Sequence, residues 1–180
     1  STAGRQVNIL NLFAYTGIAT IAAAAEGARV THVDASKPSV TWAHENQIAS
    51  GLADKPIRWI IDDAIKFTSR EVKRGVIYDG IILDPPIYGH GPHGERWDFM
   101  KDMPKLMENC KAILSPDPLF IIINAYAISA SALMLGNLLT DYVKTMNGSI
   151  EVGELVLQER SAARLLSTGI FARWSSPKKA

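Results

Sequence analysis

Five times in succession the chain passes from an apolar stretch of strand length into a segment of helical pattern. Val7–Leu12, Arg29–Val33, Ile57–Ile61, Val76–Leu83 and Pro118–Asn124 read as strands. Ile18–Glu26, Ser36–Ser50, Ala64–Lys73, Asp98–Leu114 and Ser129–Lys144 read as the helices that follow them, with Gly27 and Gly51 as stops. Consecutive parallel strands need a crossover, and a helix that packs back onto a twisted sheet does so with one hand. The pattern therefore predicts an α/β fold with a doubly wound, mostly parallel sheet and helices on both faces. The run Leu119-Phe120-Ile121-Ile122-Ile123 predicts a strand buried on both faces. Ser149–Leu157 and Thr168–Trp174 follow with no helix between them, so they are expected to pair antiparallel. That makes a seven-stranded sheet with an antiparallel final strand.

The strand ends carry the chemistry. Ile81-Ile82-Leu83 runs into Asp84-Pro85-Pro86-Ile87-Tyr88-Gly89. Proline fixes φ and donates no N–H, so the sheet must stop there, and Asp84 is pushed into an extended conformation. The product is a stiff shelf bearing one carboxylate at the carboxyl edge, where open α/β sheets bind ligands. The first strand ends in Asn11-Leu12-Phe13-Ala14-Tyr15-Thr16-Gly17, with one glycine where a dinucleotide fold wants three, which argues against NAD or FAD. Asp34 closes the second strand, placed either to accept two ribose hydroxyls or to cap the next helix. Asp62-Asp63 closes the third; Asp63 suits an adenine amino group, with Ala64 leaving room for the ring, or again a helix cap. A turn glycine, a ribose acid and an adenine acid, one βα unit apart, together describe an adenosine site.

These residues resemble the motifs of the class I S-adenosylmethionine-dependent methyltransferases over essentially the whole chain, terminal antiparallel pair included. Within them the chain is most similar to the bacterial rRNA-methyltransferase-like group related to the large-subunit cytosine-5 enzymes. The resemblance implies S-adenosyl-L-methionine as cofactor, bound by Phe13, Ala14, Tyr15, Thr16, Gly17, Asp34, Ala35, Asp63, Ala64 and Asp84. It also implies catalytic roles for Asp84, the Pro85 carbonyl and Tyr88, which orient an acceptor or stack on a planar base. In amino methyltransferases of the Asp-Pro-Pro-aromatic type the aromatic follows the second proline directly; here Ile87 fills that place and Tyr88 comes one residue late. The related cytosine-5 enzymes carry their cysteine nucleophile just after the fifth strand. This chain has Asn124-Ala125-Tyr126 there, and its one cysteine, Cys110, falls on a helix and reads as core. The expected acceptor is a nitrogen or oxygen of RNA, methylated without a covalent cysteine intermediate. Methylation of a small molecule or protein, a non-catalytic cofactor- or RNA-binding module, and, more distantly, a dehydrogenase are the alternatives.

The glycine-punctuated loop Tyr88–Trp97 is expected to be a mobile lid that orders on substrate, with Trp97 as anchor and Arg96 on a phosphate. His90 and His93 lack a third clear ligand, so no metal is expected. The net charge of +1 over 180 residues gives no electrostatic argument for nucleic acid, and Arg160, Arg164, Arg173, Lys178 and Lys179 read as solvated surface. The lone cysteine fits a reducing compartment, and the cytoplasm is the expected location. Asn8, Asn11, Tyr15, Thr16 and Gly17 interrupt the first apolar run too often for a signal peptide. Residues 1–174 are expected to form one cofactor-binding domain with a loose tail at 175–180. The first residue is Ser1, and a missing N-terminal region is expected.

Overall fold

The computed structural model describes residues 5–177. Strands β1 (Asn8–Leu12), β2 (Arg29–Asp34), β3 (Ile57–Ile61), β4 (Gly80–Leu83) and β7 (Phe120–Ala125) pair in parallel. β9 (Leu165–Ser175) runs antiparallel to β7 and to the edge strand β8 (Ser149–Gln158). The order across the sheet is β3-β2-β1-β4-β7-β9-β8. The chain winds outward from β1 to β3 and then returns to the other side of β1, so the topological switch lies between β1 and β4. A ligand crevice is expected at their carboxyl ends.

The helices start where their caps dictate. Ser36 accepts the Ser39 N–H at the head of α2 (Lys37–Ala49), and Asp63 accepts the Lys66 N–H at the head of α3 (Ala64–Arg74). Asp98 caps α4 (Phe99–Ala112) through the Met100 N–H. The short α1 (Ile18–Ala25) follows the left-handed Gly17, and α5 (Ala132–Val143) precedes the final hairpin. The main core lies between the sheet and α3, α4 and α5, around Leu10, Leu12, Phe67, Ile81, Leu83, Met103, Leu106, Ile121, Ile123 and Leu139. A smaller cluster (Ile9, Ala24, Ala28 and Val30) lies beneath α1.

Four expectations are corrected. β4 begins at Gly80 rather than Val76, because the Val76 N–H is spent closing α3 on the Glu71 carbonyl and Tyr78 only bridges to Leu114. β7 is not buried on both faces: Ile121, Ile123 and Ala125 are buried, whereas Phe120, Ile122 and Asn124 are half-buried. The reason is that α1 and α2 pack over β1, β2 and β3. The tail does not start at Ser175, which ends β9, and the Ser176 N–H still donates to Leu119 O at 2.9 Å. Lys178 and Lys179 lie outside the described residues. The fourth correction is a hairpin over the cleft, described below.

One buried carboxylate ties the start of the sheet together. Asp79 accepts the Asn8 N–H at 2.9 Å and the Arg5 guanidinium at 2.7 Å, with its side chain almost fully buried. Burial pushes this carboxyl up, but the two donors outweigh it and hold it below the ordinary value. A carboxyl depressed in the folded state stabilises fully above its unfolded value, near ~4, and loses that contribution as pH falls through the folded value. Asp79→Asn is expected to lose about 1–3 kcal/mol at neutral pH. Its denaturation midpoint in urea should also fall less steeply than the parent's below pH ~4.

Candidate active site

The crevice predicted by the topology is present, with a volume of about 450 Å³. Its walls come from the ends of β1, β2, β3 and β4, from the segment after β4, and from Tyr126 just past β7. Of the residues expected to bind the cofactor, Phe13, Tyr15, Asp34, Ala35, Asp63, Ala64 and Asp84 line it. Ala14, Thr16 and Gly17 do not line it; they form the turn beneath. Pro85 is buried outside the lining, and Tyr88 stands 74% exposed beyond it. Val33, Ser36, Asp62, Pro86, Gly89, His90, Gly91, Trp97 and Tyr126 also line the cleft, and the sequence reading assigned none of them to the cofactor. Val33 shares the strand end of Asp34; Trp97 was expected as the anchor of its loop, but nothing local in the sequence placed it at the cleft.

The turn after β1 is built on unusual backbone. Phe13 and Tyr15 adopt positive φ (54° and 46°), and Gly17 does so at 87°. Such conformations strain side-chain-bearing residues and persist only when their surroundings fix them. Here the Tyr15 N–H donates to Asp34 Oδ2 at 2.8 Å, and Asn46 Nδ2 donates to the Thr16 carbonyl at 3.0 Å. Gly17 is required twice over: its φ is left-handed, and a Cβ there would stand 2.9 Å from the Ala43 Cβ.

Asp34 is neither the helix cap nor a spectator. Ser36 is the cap, while the second Asp34 oxygen accepts the Ser36 N–H at 2.8 Å. Each carboxylate oxygen takes one backbone N–H and keeps a second acceptor site. Asp63 combines both of its possible roles in position: one oxygen caps α3, and the residue also lines the cleft. Asp62 is occupied by Arg70 and by the Asp63 N–H. Asp84 is exposed at the cleft, and partial desolvation there raises its carboxyl above the usual range.

The segment after β4 is not an unformed lid. Tyr88–His90 (β5) and Arg96–Asp98 (β6) pair as an antiparallel hairpin, with Gly94 at φ 85° in its turn. Glu95 fastens it, accepting the His93 N–H and pairing with Lys66 on α3. Trp97 is buried, donates its indole N–H to the Pro86 carbonyl at 2.7 Å, and packs against Phe13 with centroids 4.8 Å apart. Of the glycines that read as loop, Gly89 lies within β5 opposite Trp97 and Gly91 and Gly94 lie between the two strands, and Trp97 clamps the proline shelf against the turn after β1. Cys110 is fully buried in the core, and burial pushes its thiol up to about 12, which removes the thiolate a nucleophile needs.

No family model matches the chain. The structure of the SAM-dependent methyltransferase from Agrobacterium tumefaciens superposes with a TM-score of 0.94 at 45% identity, covering 98% of this chain and 58% of that one. The fold is that of the class I methyltransferases. SMU.776 complexed with SAH shares it at a TM-score of 0.68 and 24% identity, over 93% of this chain and 44% of that one. In sequence, the ribosomal RNA large subunit methyltransferase K/L of Vibrio cholerae is 34% identical over 119 residues, which are 65% of this chain and 16% of that protein. Its counterpart from Vibrio campbellii is 38% identical over 109 residues, 59% of this chain and 15% of that protein. The chain thus spans about one sixth of the length of these relatives. Among the described residues no helix is long and apolar enough to cross a membrane.

Proposed function

We propose that this chain is an S-adenosylmethionine-dependent methyltransferase domain acting in the cytoplasm on RNA, ribosomal RNA in particular. The observation that carries the reading is the constellation at the switch point: the turn after β1, Asp34, Asp63 and Asp84 on one cleft. The names of the Agrobacterium and Vibrio relatives support it. The residues fit the cofactor. Asp34 keeps one acceptor site on each oxygen, which matches two vicinal ribose hydroxyls. Asp63 with Ala64 supplies an acceptor beside a flat space suited to adenine, and Val33, Ala35 and Phe13 provide apolar walls.

Bound S-adenosylmethionine supplies an activated methyl group. The chain's own work is alignment and proton handling. Asp84 and the Pro85 carbonyl orient a nitrogen or oxygen acceptor, and Asp84 takes its proton. The proline shelf and its Trp97 clamp fix that geometry without an entropic penalty at the moment of reaction. Tyr88, exposed at the rim, offers a stacking face for an unpaired base, and Arg96 a partner for phosphate. The buried Cys110 and the sequence Asn124-Ala125-Tyr126 leave no thiolate at the cleft for cytosine-5 chemistry.

Incubating the protein with methyl-labelled cofactor and separate fractions of RNA, protein and small metabolites tests the reading. Label is expected in RNA, as a nucleoside modified at nitrogen or oxygen. Label confined to protein or metabolites overturns the RNA assignment, and a 5-methylpyrimidine overturns the acceptor assignment.

A further inference from the structure

Beneath the turn after β1 lies a buried polar chain that no step above uses. Asn11, Thr20 and His32 are at most 2% exposed. Asn11 Nδ2 donates to Thr20 Oγ1 at 2.9 Å, and Thr20 Oγ1 lies 3.0 Å from His32 Nδ1. A hydroxyl has one proton. With the Asn11 amide donating to it, that proton is free to go to Nδ1. A proton given by the hydroxyl to Nδ1 leaves His32 as the neutral tautomer protonated at Nε2.

His32 Nε2 is buried and has no partner in ordinary hydrogen-bond geometry. A buried donor left unmade is unfavourable and calls for an explanation. Against its burial, the Tyr15 backbone raises the imidazole; the φ of Tyr15 is positive and its N–H is already held by Asp34. The ring also reaches the base of the turn: a Cβ on Gly17 would stand 3.6 Å from His32 Cε1. Trp59 walls it on another side with centroids 4.6 Å apart. Burial holds the imidazole at about 4, so it is neutral across the physiological range.

We infer that His32 is a positioning residue for the cofactor turn, its Nε2–H bonding the Tyr15 carbonyl when ligand seats on Phe13–Gly17. Asp34 grips the peptide N–H of Tyr15 from the cleft side, and His32 grips its carbonyl from below. Together they hold a left-handed residue that its own backbone preference disfavours. The inference rests on the cofactor reading above, and the test separates the two.

Glutamine carries its amide at the depth of Nε2 and can donate to Tyr15; asparagine carries it at the depth of Nδ1 and meets only Thr20. Calorimetric titration with S-adenosylhomocysteine should therefore find His32→Gln close to the parent and His32→Asn weaker by roughly five- to tenfold. In the unaltered protein labelled with ¹⁵N, the His32 ring should show the Nε2–H tautomer at neutral pH, and its Nε2 proton should move downfield on ligand addition. Equal binding by the two variants, an Nδ1–H tautomer, or an Nε2 proton unmoved at saturation overturns the role of His32 while leaving the cofactor reading intact. A parent protein that binds no S-adenosylhomocysteine overturns both. The spectroscopic measurement needs no variant, so poor folding of His32→Asn leaves the inference open to refutation.

Discussion

Replacing Asp84 by alanine is expected to lower methyl transfer by about 10²–10⁴-fold, the range that a positioned proton acceptor contributes. Calorimetric affinity for the cofactor should stay within a few-fold of the parent. The split follows from geometry. Asp84 leaves β4 on the far side of β1 from Asp34, on a shelf that Pro85, Pro86 and the Trp97 indole hold rigid. Among the described residues no hydrogen-bond donor compensates its desolvation, so its carboxyl is held above the usual carboxylate range. The rate should accordingly rise with pH through that raised value, and the rise should be absent in Asp84→Asn. Asparagine keeps the size and the hydrogen-bonding capacity but cannot take a proton. If transfer survives in both variants, Asp84 merely shapes the shelf.

Asp34→Ala should do the opposite. Cofactor affinity should fall by about 10²–10⁴-fold, because two charge-assisted bonds to ribose are worth roughly 1.5–3 kcal/mol each. Part of the loss comes from the protein itself. Asp34 also accepts the N–H groups of Tyr15 and Ser36, so its removal frees the turn after β1 as well. Calorimetry reads the affinity, and single-turnover rates at saturating cofactor should recover most of the parent value. A variant that binds the cofactor normally removes Asp34 from the site and, with it, the adenosine reading of the strand ends.

The two acids differ in how visible they were in the sequence. Asp34 and Asp84 both end apolar runs of strand length, and a strand end in an α/β sheet is a position with a known use. Chain-local signals of this kind located the strands, the Ser36 and Asp63 caps and the glycine of the first turn. They located boundaries less well. β4 lost its first residues to the closing of α3, a competition for one N–H that no strand pattern contains. They also misjudged Tyr88–Trp97, where closely spaced glycines read as loop but the partner of each short strand lies only a few residues away.

By itself the sequence determined the α/β class, the seven strands, the carboxyl edge that bears the acids, and the absence of a cysteine near it. These follow from period, capping and proline chemistry, which act over a few residues. Tertiary structure alone decided that Trp97 clamps the Pro86 carbonyl, that Lys66 holds the hairpin through Glu95, and that Asn11, Thr20 and His32 form a buried polar chain beside Gly17. These partners, from 9 positions apart (Asn11 and Thr20) to 29 (Lys66 and Glu95), are brought together by strand pairing, hairpin formation and helix packing rather than by spacing along the chain. The physical reason is that a hydrogen bond across the fold depends on where two elements meet, and that meeting is set by the whole core rather than by either segment.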